Sequence, residues 1–367
     1  MIGAGRIERY VVGRTLSAVG MALAVIAAVV ALVQFVDLSR TVGVRADVSV
    51  GSLFLLTCLR VPAILLMLAP FIFLFGGMGA FVGLNRSSEL VAIRAAGVSA
   101  WRFIMPSAGA AMLIGILTIS VLNPAAAALN ARYDSLRGRL METATTNAPR
   151  DVWLRQGDDA TQIVIHARGR ATVDGLVRLK DVSLFIYQRT AKGGFAFRRR
   201  LEAGEAALMS GFWRLTNVRE ASAGEYSLRS DTMTIRSSLD AETAMAHFAS
   251  PEAIAFWRLP AAIRQTEQAG FSAAAYRLRF AQLLAAPVLF AAMSILAAAF
   301  SLRLSRLGGL SLLAGVGVGL GFLFFFLNEF SGALADAGVI PQFAAAWAPP
   351  LVALLSGLTL LCYTEDG

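Results

Sequence analysis

The sequence predicts an α-helical membrane protein with six transmembrane helices, three on either side of an inserted β domain. Two observations carry this prediction. First, six stretches contain no Asp, Glu, Lys or Arg: Thr15–Val36, Val61–Asn85, Phe103–Ala131, Phe280–Leu302, Leu307–Asn328 and Ala337–Thr364. Each exceeds the roughly 20 apolar residues that cross about 30 Å of hydrocarbon at about 1.5 Å per residue. Second, residues 125–271 carry charge throughout and hold no long apolar run. Composition agrees. The chain is 57% hydrophobic and only 16% charged, against roughly 25% charged residues in soluble domains.

The spans divide the chain into residues 1–124, 125–271 and 272–367. Arg6, Arg9 and Arg14 precede the first span. Its 22 uncharged residues exceed the roughly 7–15 of a cleavable signal core, so it reads as a retained helix with a cytoplasmic N-terminus. Alternation then places residues 37–60 outside, Arg86–Arg102 inside and residues 125–271 outside. Arg303 and Arg306 fall inside, Glu329–Asp336 outside, and the C-terminus returns to the cytoplasm. The outer ends of the spans also carry arginines, among them Arg40, Arg45, Arg60, Arg264, Arg277 and Arg279. Loop charge alone therefore favours this orientation weakly, and the N-terminal bias decides it.

In the inserted segment Val182, Leu184 and Ile186 alternate with Ser183, Phe185 and Tyr187, and Met233 and Ile235 alternate with Thr232 and Thr234. Gln162–His166 and Phe212–Val218 are further strand candidates. Gly193-Gly194, Ala203-Gly204 and Ala223-Gly224 read as turns. Strands of this kind imply a sandwich, barrel or jelly roll. Ser250–Ala269, with Pro251 near its start and Gly270 at its end, reads as a helix leading back to the membrane.

The residues exclude several chemistries. A phosphate-binding loop needs Gly-x-x-x-x-Gly-Lys-Ser/Thr, yet the only lysines are Lys180 and Lys192, both in the inserted domain. Any ATP use therefore belongs to another chain. His166 and His247 have no metal-ligand spacing around them, and no nucleophile motif is present, so no catalytic residue, metal or cofactor is expected. Cys58 and Cys362 read as small buried hydrophobes. The spans lack mid-membrane carboxylates or histidines of the kind that couple transport to ions. The net charge of +9 does not point to nucleic acid, because the basic domain is tethered between spans.

Two groups of residues remain. The inner loop Asn85-Arg86-Ser87-Ser88-Glu89-Leu90-Val91-Ala92-Ile93-Arg94-Ala95-Ala96-Gly97 predicts a two-turn cytoplasmic helix. Ser88 is its N-cap, Glu89 sits at the positive helix end, and Gly97 is the stop. It reads either as a connector or as a lever for a soluble motor. On the outer side, Gln34, Asp37, Arg40 and Arg45 follow the first span, Arg132, Arg137 and Arg139 the third, and Arg277 and Arg279 precede the fourth. Gly315, Gly317, Gly319 and Gly321 thin one side of the fifth span. These residues read as anchors and packing sites, or together as an apolar cavity capped by phosphate-binding guanidinium groups.

The three-plus-three layout and the loop Ser88–Gly97 resemble the lipopolysaccharide export permeases, the LptF/LptG family, over essentially the whole chain. Arg9-Tyr10 and Phe35-Val36-Asp37 are more similar to the LptG branch than to LptF. The resemblance implies a permease subunit in the inner membrane of a Gram-negative bacterium, with a periplasmic β-jellyroll-like domain. It implies four partners: a second, LptF-like permease; an LptB-like ATPase dimer; an LptC-like single-span jellyroll protein; and lipopolysaccharide, which enters between spans one and five. Arg86, Glu89, Leu90, Ile93 and Arg94 would then couple to the ATPase. Gln34, Asp37, Arg40, Arg132, Tyr133 and Arg277 would lie near the lipid headgroup, with Gln34 standing where LptG proteins often carry lysine. The alternatives are the LptF paralogue and a lipoprotein-release or MacB-type permease, although the latter places its soluble domain between spans one and two of four.

Overall fold

A charge-free segment in hydrocarbon must satisfy its backbone groups internally, which selects helices. The computed structural model describes residues 4–43, 48–144, 152–157, 161–173, 176–190, 195–209, 211–222, 228–237, 253–268, 272–304 and 310–366. The first span is α1 (Ala4–Leu38), which ends in a π-helical turn, Ser39–Gly43. The second is α2 (Val50–Arg86), followed by the short α3 (Glu89–Ala95). The third joins α4 (Ala100–Leu117) to α5 (Asn123–Ala144) through a π-helical segment, Thr118–Leu122. After the sheet come α6 (Leu259–Gln268), α7 (Ala274–Leu304), α8 (Leu310–Asp336) and α9 (Gln342–Asp366). Six of these segments are long and apolar enough to cross a membrane: Gly5–Thr41, Val50–Arg86, Ala100–Gly138, Ala274–Leu302, Gly315–Asp336 and Gln342–Thr364.

The described residues fall into two compact units. One is drawn from Met1–Ala144, Pro251–Leu259 and Ala274–Gly367, the other from Thr145–Ser250 and Pro260–Ala273. The third-span helix runs 13 residues, Arg132–Ala144, past the end of its apolar stretch. Charge ends the stretch at Arg132, but the helix-forming Arg, Leu, Met and Glu residues beyond it keep the helix going.

In the helical unit α7 is the hub. Two-thirds of its apolar window is buried (67%), against 6% for α1. Small residues let neighbours approach it. A Cβ on Gly115 of α4 would lie 2.5 Å from Pro287 Cα, and one on Gly77 of α2 would lie 2.8 Å from Ala297 Cβ. Phe73 stacks on Phe290 at 4.8 Å within the central core, which also includes Leu74, Met78, Met293 and Phe324. Cys58 and Cys362 are free thiols on the exposed surface of this unit, not the buried hydrophobes expected. Apolar helix faces there are left open, so a thiol on them need not be covered by the chain itself.

The inserted unit is one antiparallel sheet of six strands: β1 (Val152–Gly157), β2 (Thr161–Val173), β3 (Leu176–Arg189), β4 (Phe195–Met209), β5 (Phe212–Ser222) and β6 (Leu228–Arg236). Each pairs with the next in sequence. The ladders step over Arg168, Asp181, Gly204 and Asn217 in one row, with Ala167↔Val182, Val182↔Ala203 and Ala203↔Val218 on one side and Gly169↔Lys180, Lys180↔Glu205 and Glu205↔Thr216 on the other. Asp181 (φ 49°) and Asn217 (φ 58°) are left-handed, which Asp and Asn tolerate better than most residues. At this row the buried positions change step from two to three: Val182 and Leu179 on β3, Ala203 and Ala206 on β4, Val218 and Leu215 on β5. Both halves of the sheet therefore turn the same face to one core, which holds Ile165, Leu184, Leu201, Leu208 and Trp213. Among the described strands this is a meander bent at a corner. It is jelly-roll-like in enclosing a core and unlike a Greek key in connectivity.

Val182, Leu184 and Ile186 face inward as their alternation predicts. Ala203-Gly204, read as a turn, lies inside β4 at the corner row, where glycine marks a bend rather than an end. The other two turn sites, Gly193-Gly194 and Ala223-Gly224, lie outside the described residues, as do Arg45, His247, Arg306 and both ends of the predicted Ser250–Ala269 helix. Within that helix the chain forms a 3-10 turn, Phe256–Arg258, and then α6.

Candidate coupling helix and outer rim

The short helix α3 exists because its sequence gives it one anchoring face and firm ends. Leu90 is buried, and Ile93 and Val98 pack beside it against Ile7 and Val11 of α1, Leu84 of α2 and Phe103 of α4. Gly97, at φ +77°, closes the helix. Its N–H donates to Arg94 O (2.9 Å) and that of Val98 to Ile93 O (3.3 Å), the paired pattern of a Schellman stop. At the other end Ser88 occupies the cap position, but it is left-handed (φ 59°) and its hydroxyl makes no capping bond. Ser87 does not cap the helix either, but its Oγ donates to Glu89 Oε1 at 2.9 Å.

Leu90 and Ile93 are therefore anchors that hold α3 to its own chain. The face turned away is Ser88, Val91, Ala92 and Ala95, all exposed, at the spacing of one helical stripe. Arg86 is exposed just before α3, and Arg94 is half-buried in its last turn. Glu89 also bonds to the Tyr10 hydroxyl, and these two hydrogen bonds hold its carboxyl below the usual carboxylate range.

On the outer rim, Gln34 is half-buried while Asp37, Arg40, Arg132 and Arg277 are exposed. The Asp37 carbonyl accepts the Thr41 hydroxyl (2.8 Å). The π-helical turn that carries Arg40 packs against α2 and α5. Arg277 lies one turn ahead of Phe280, which stacks on Phe256 at 5.2 Å. Tyr133 differs from its neighbour Arg132. It is 4% exposed and packs with Leu38, Leu53 and Leu56.

Two arginines lie over the Tyr133 ring, Arg60 at 5.4 Å and Arg137 at 5.9 Å from its centroid. Arg60 Nη1 also donates to Oδ1 of the wholly buried Asn130, whose Nδ2 donates to Asp134 Oδ2 (3.4 Å). Tyr133 is thus a buried platform for two guanidinium groups. The sequence reading missed Arg60, Asn130 and Asp134 as members of one cluster. The one signal was Arg60 itself, a charge set against the edge of an apolar stretch.

The glycines of α8 divide by face. A Cβ on Gly317 would lie 2.8 Å from Met78 Sδ and one on Gly321 3.4 Å from Phe75, whereas Gly315 and Gly319 meet nothing within 4 Å. One side packs on α2 and the other is left open.

A family model described as lipopolysaccharide export system permease LptF/LptG matches residues 9–363. The lipopolysaccharide export system permease protein LptG of Escherichia coli strain K12 is 21% identical, over 97% of this chain and 98% of its own length. The protein of that name from E. coli O6:H1 strain CFT073 matches to the same extent.

Proposed function

The chain belongs to the LptF/LptG family of lipopolysaccharide export permeases, and on that premise we propose that it is the LptG-like subunit of an ATP-driven complex that extracts lipopolysaccharide from the inner membrane. The observation that carries the reading is α3: a two-turn helix seated on the bundle by Leu90 and Ile93, with the small, largely apolar stripe Ser88, Val91, Ala92 and Ala95 turned outward. Such a stripe suits a groove in a soluble partner. The partner supplies ATP hydrolysis, and an LptB-like ATPase dimer fits that role. Arg86, Glu89 and Arg94 border the docking face.

The α1–α3 side is cytoplasmic and the β unit periplasmic, where an LptC-like protein receives the lipid. A second, LptF-like permease completes the cavity against α1 and α8, whose exposed residues include Val25, Val29, Leu32, Phe322, Phe325 and Phe326. At the mouth Arg40, Arg132 and Arg277 meet the phosphorylated headgroup, with Gln34 and Asp37 beside them, while Arg60 and Arg137 are held ready on Tyr133. Arg9-Tyr10 and Phe35-Val36-Asp37 favour the LptG role over that of LptF.

Reconstitution in vesicles with an LptF-like permease, the ATPase and an LptC-like protein tests this. Lipopolysaccharide release that needs ATP and all four chains is the expected result. Failure of the ATPase to copurify with the two permeases would refute the reading.

A further inference from the structure

Three helices meet at the cytoplasmic end of the bundle, and α1 is fastened to the other two on both of its flanks. On one flank the Tyr10 hydroxyl stands beside Glu89 of α3, with Arg14 next to it. On the other, Arg102 at the start of α4 pairs with Glu8, Nε to Oε1, at 3.3 Å. Between the flanks Ile7 and the wholly buried Val11 pack on Leu90, Ile93, Val98 and Phe103. The side chains of Glu8, Tyr10 and Val11 span a single turn, so the first turns of α1 are gripped from two sides around an apolar plug.

Beyond this grip α1 is the least embedded span, with 6% of its apolar window buried. Along its length α1 packs mainly on α2, with Val19 against Gly76 and Leu38 among Leu53 and Leu56, so a movement imposed on its first turns carries the span along a single neighbour.

We propose that Tyr10–Glu89 and Glu8–Arg102 form a clamp that makes α1 follow α3, so that displacement of the coupling helix by the ATPase is delivered to α1. This rests on the transport reading above and names the residues that position the moving span. Tyr10, Glu8 and Arg102 are positioning residues: they touch neither lipid nor nucleotide. Arg102–Glu8 is a half-exposed pair and contributes little to stability. Its role is to fix the direction of movement, and Tyr10–Glu89 supplies the second point that prevents rotation about the first.

The test uses the full reconstituted complex, measuring ATP hydrolysis and lipopolysaccharide released per ATP. Tyr10→Phe combined with Arg102→Gln should assemble normally and keep ATP hydrolysis within about two-fold, while release per ATP falls on the order of five-fold or more, the range of a typical coupling free energy. Glu8→Arg alone should uncouple similarly, and the exchange Glu8→Arg with Arg102→Glu should restore release, because the pair reforms with its charges reversed. Unchanged release per ATP in the double variant overturns the clamp, as does an exchange variant that stays uncoupled. Variants that fail to assemble also overturn it, since the contacts would then serve folding alone. If instead the unaltered chain recruits no ATPase, the transport reading itself has failed.

Discussion

Tyr10 and Ser87 both bond to Glu89, so the carboxylate is held in place before any partner arrives. Removing it frees the start of α3 and leaves the positive helix end without its anionic side chain. Glu89→Ala should therefore weaken ATPase recruitment and turnover, measured by copurification and by ATP hydrolysis; unchanged values would remove Glu89 from the docking edge. The pH dependence has a definite sign. The folded-state pKa is lowered from an ordinary 4.5, so the contribution is complete above that value and is lost as pH falls through the lower folded one. Arg60 offers a second test at this scale. Its guanidinium satisfies the buried Asn130 carbonyl, so Arg60→Met leaves that oxygen without its donor at a cost of about 1–3 kcal/mol, read as a lower Tm in detergent. A melting temperature equal to that of the unaltered chain would show that Asn130 has another donor. Single residues were partly legible in the sequence. Glu89 and Gly97 are placed by helix-end chemistry alone, whereas the burial of Tyr133 is not legible, because it depends on Leu38, Leu53 and Leu56, which are remote in sequence.

Elements were legible wherever a period or an absence of charge defined them. The six spans follow from charge-free runs, and β3 from strict alternation. The corner row of the sheet was hidden, because Arg168, Asp181, Gly204 and Asn217 acquire meaning only when their strands are laid side by side, and Gly204 alone mimics a turn. The overrun of α5 to Ala144 was hidden for a different reason: the end of an apolar stretch marks where hydrocarbon ends, not where a helix does. Two glycines test the elements they serve. Gly97→Ala forces a left-handed alanine, costing about 1–2 kcal/mol, and should speed hydrogen exchange across Glu89–Val98 roughly ten-fold through local opening. Exchange at the original rate would show that the Leu90 anchor alone sets the stability of α3. Gly115→Ala pushes a methyl against the Pro287 backbone at a helix crossing, where overpacking costs about 1–3 kcal/mol. It should lower Tm, while Gly109→Ala, with open space around it, should not.

At the scale of the whole molecule, the proposed transport depends on which side of the membrane each unit occupies. Six spans put the two chain ends on one side. In the proposed topology the segment between the third and fourth spans is assigned to the compartment opposite that of α3. A permease driven from the cytoplasm that releases lipid outward needs this separation, since nucleotide is found on one side and the receiving protein on the other. With Cys58 and Cys362 first replaced, Val91→Cys on α3 and Ser230→Cys on β6 each supply one exposed thiol. In cells whose outer membrane has been made permeable, a maleimide that cannot cross the inner membrane should label Ser230→Cys and spare Val91→Cys. Lysis should then expose the second. The reverse pattern would invert the orientation and remove α3 from the reach of any cytoplasmic ATPase. Labelling of both before lysis would break the six-span alternation itself.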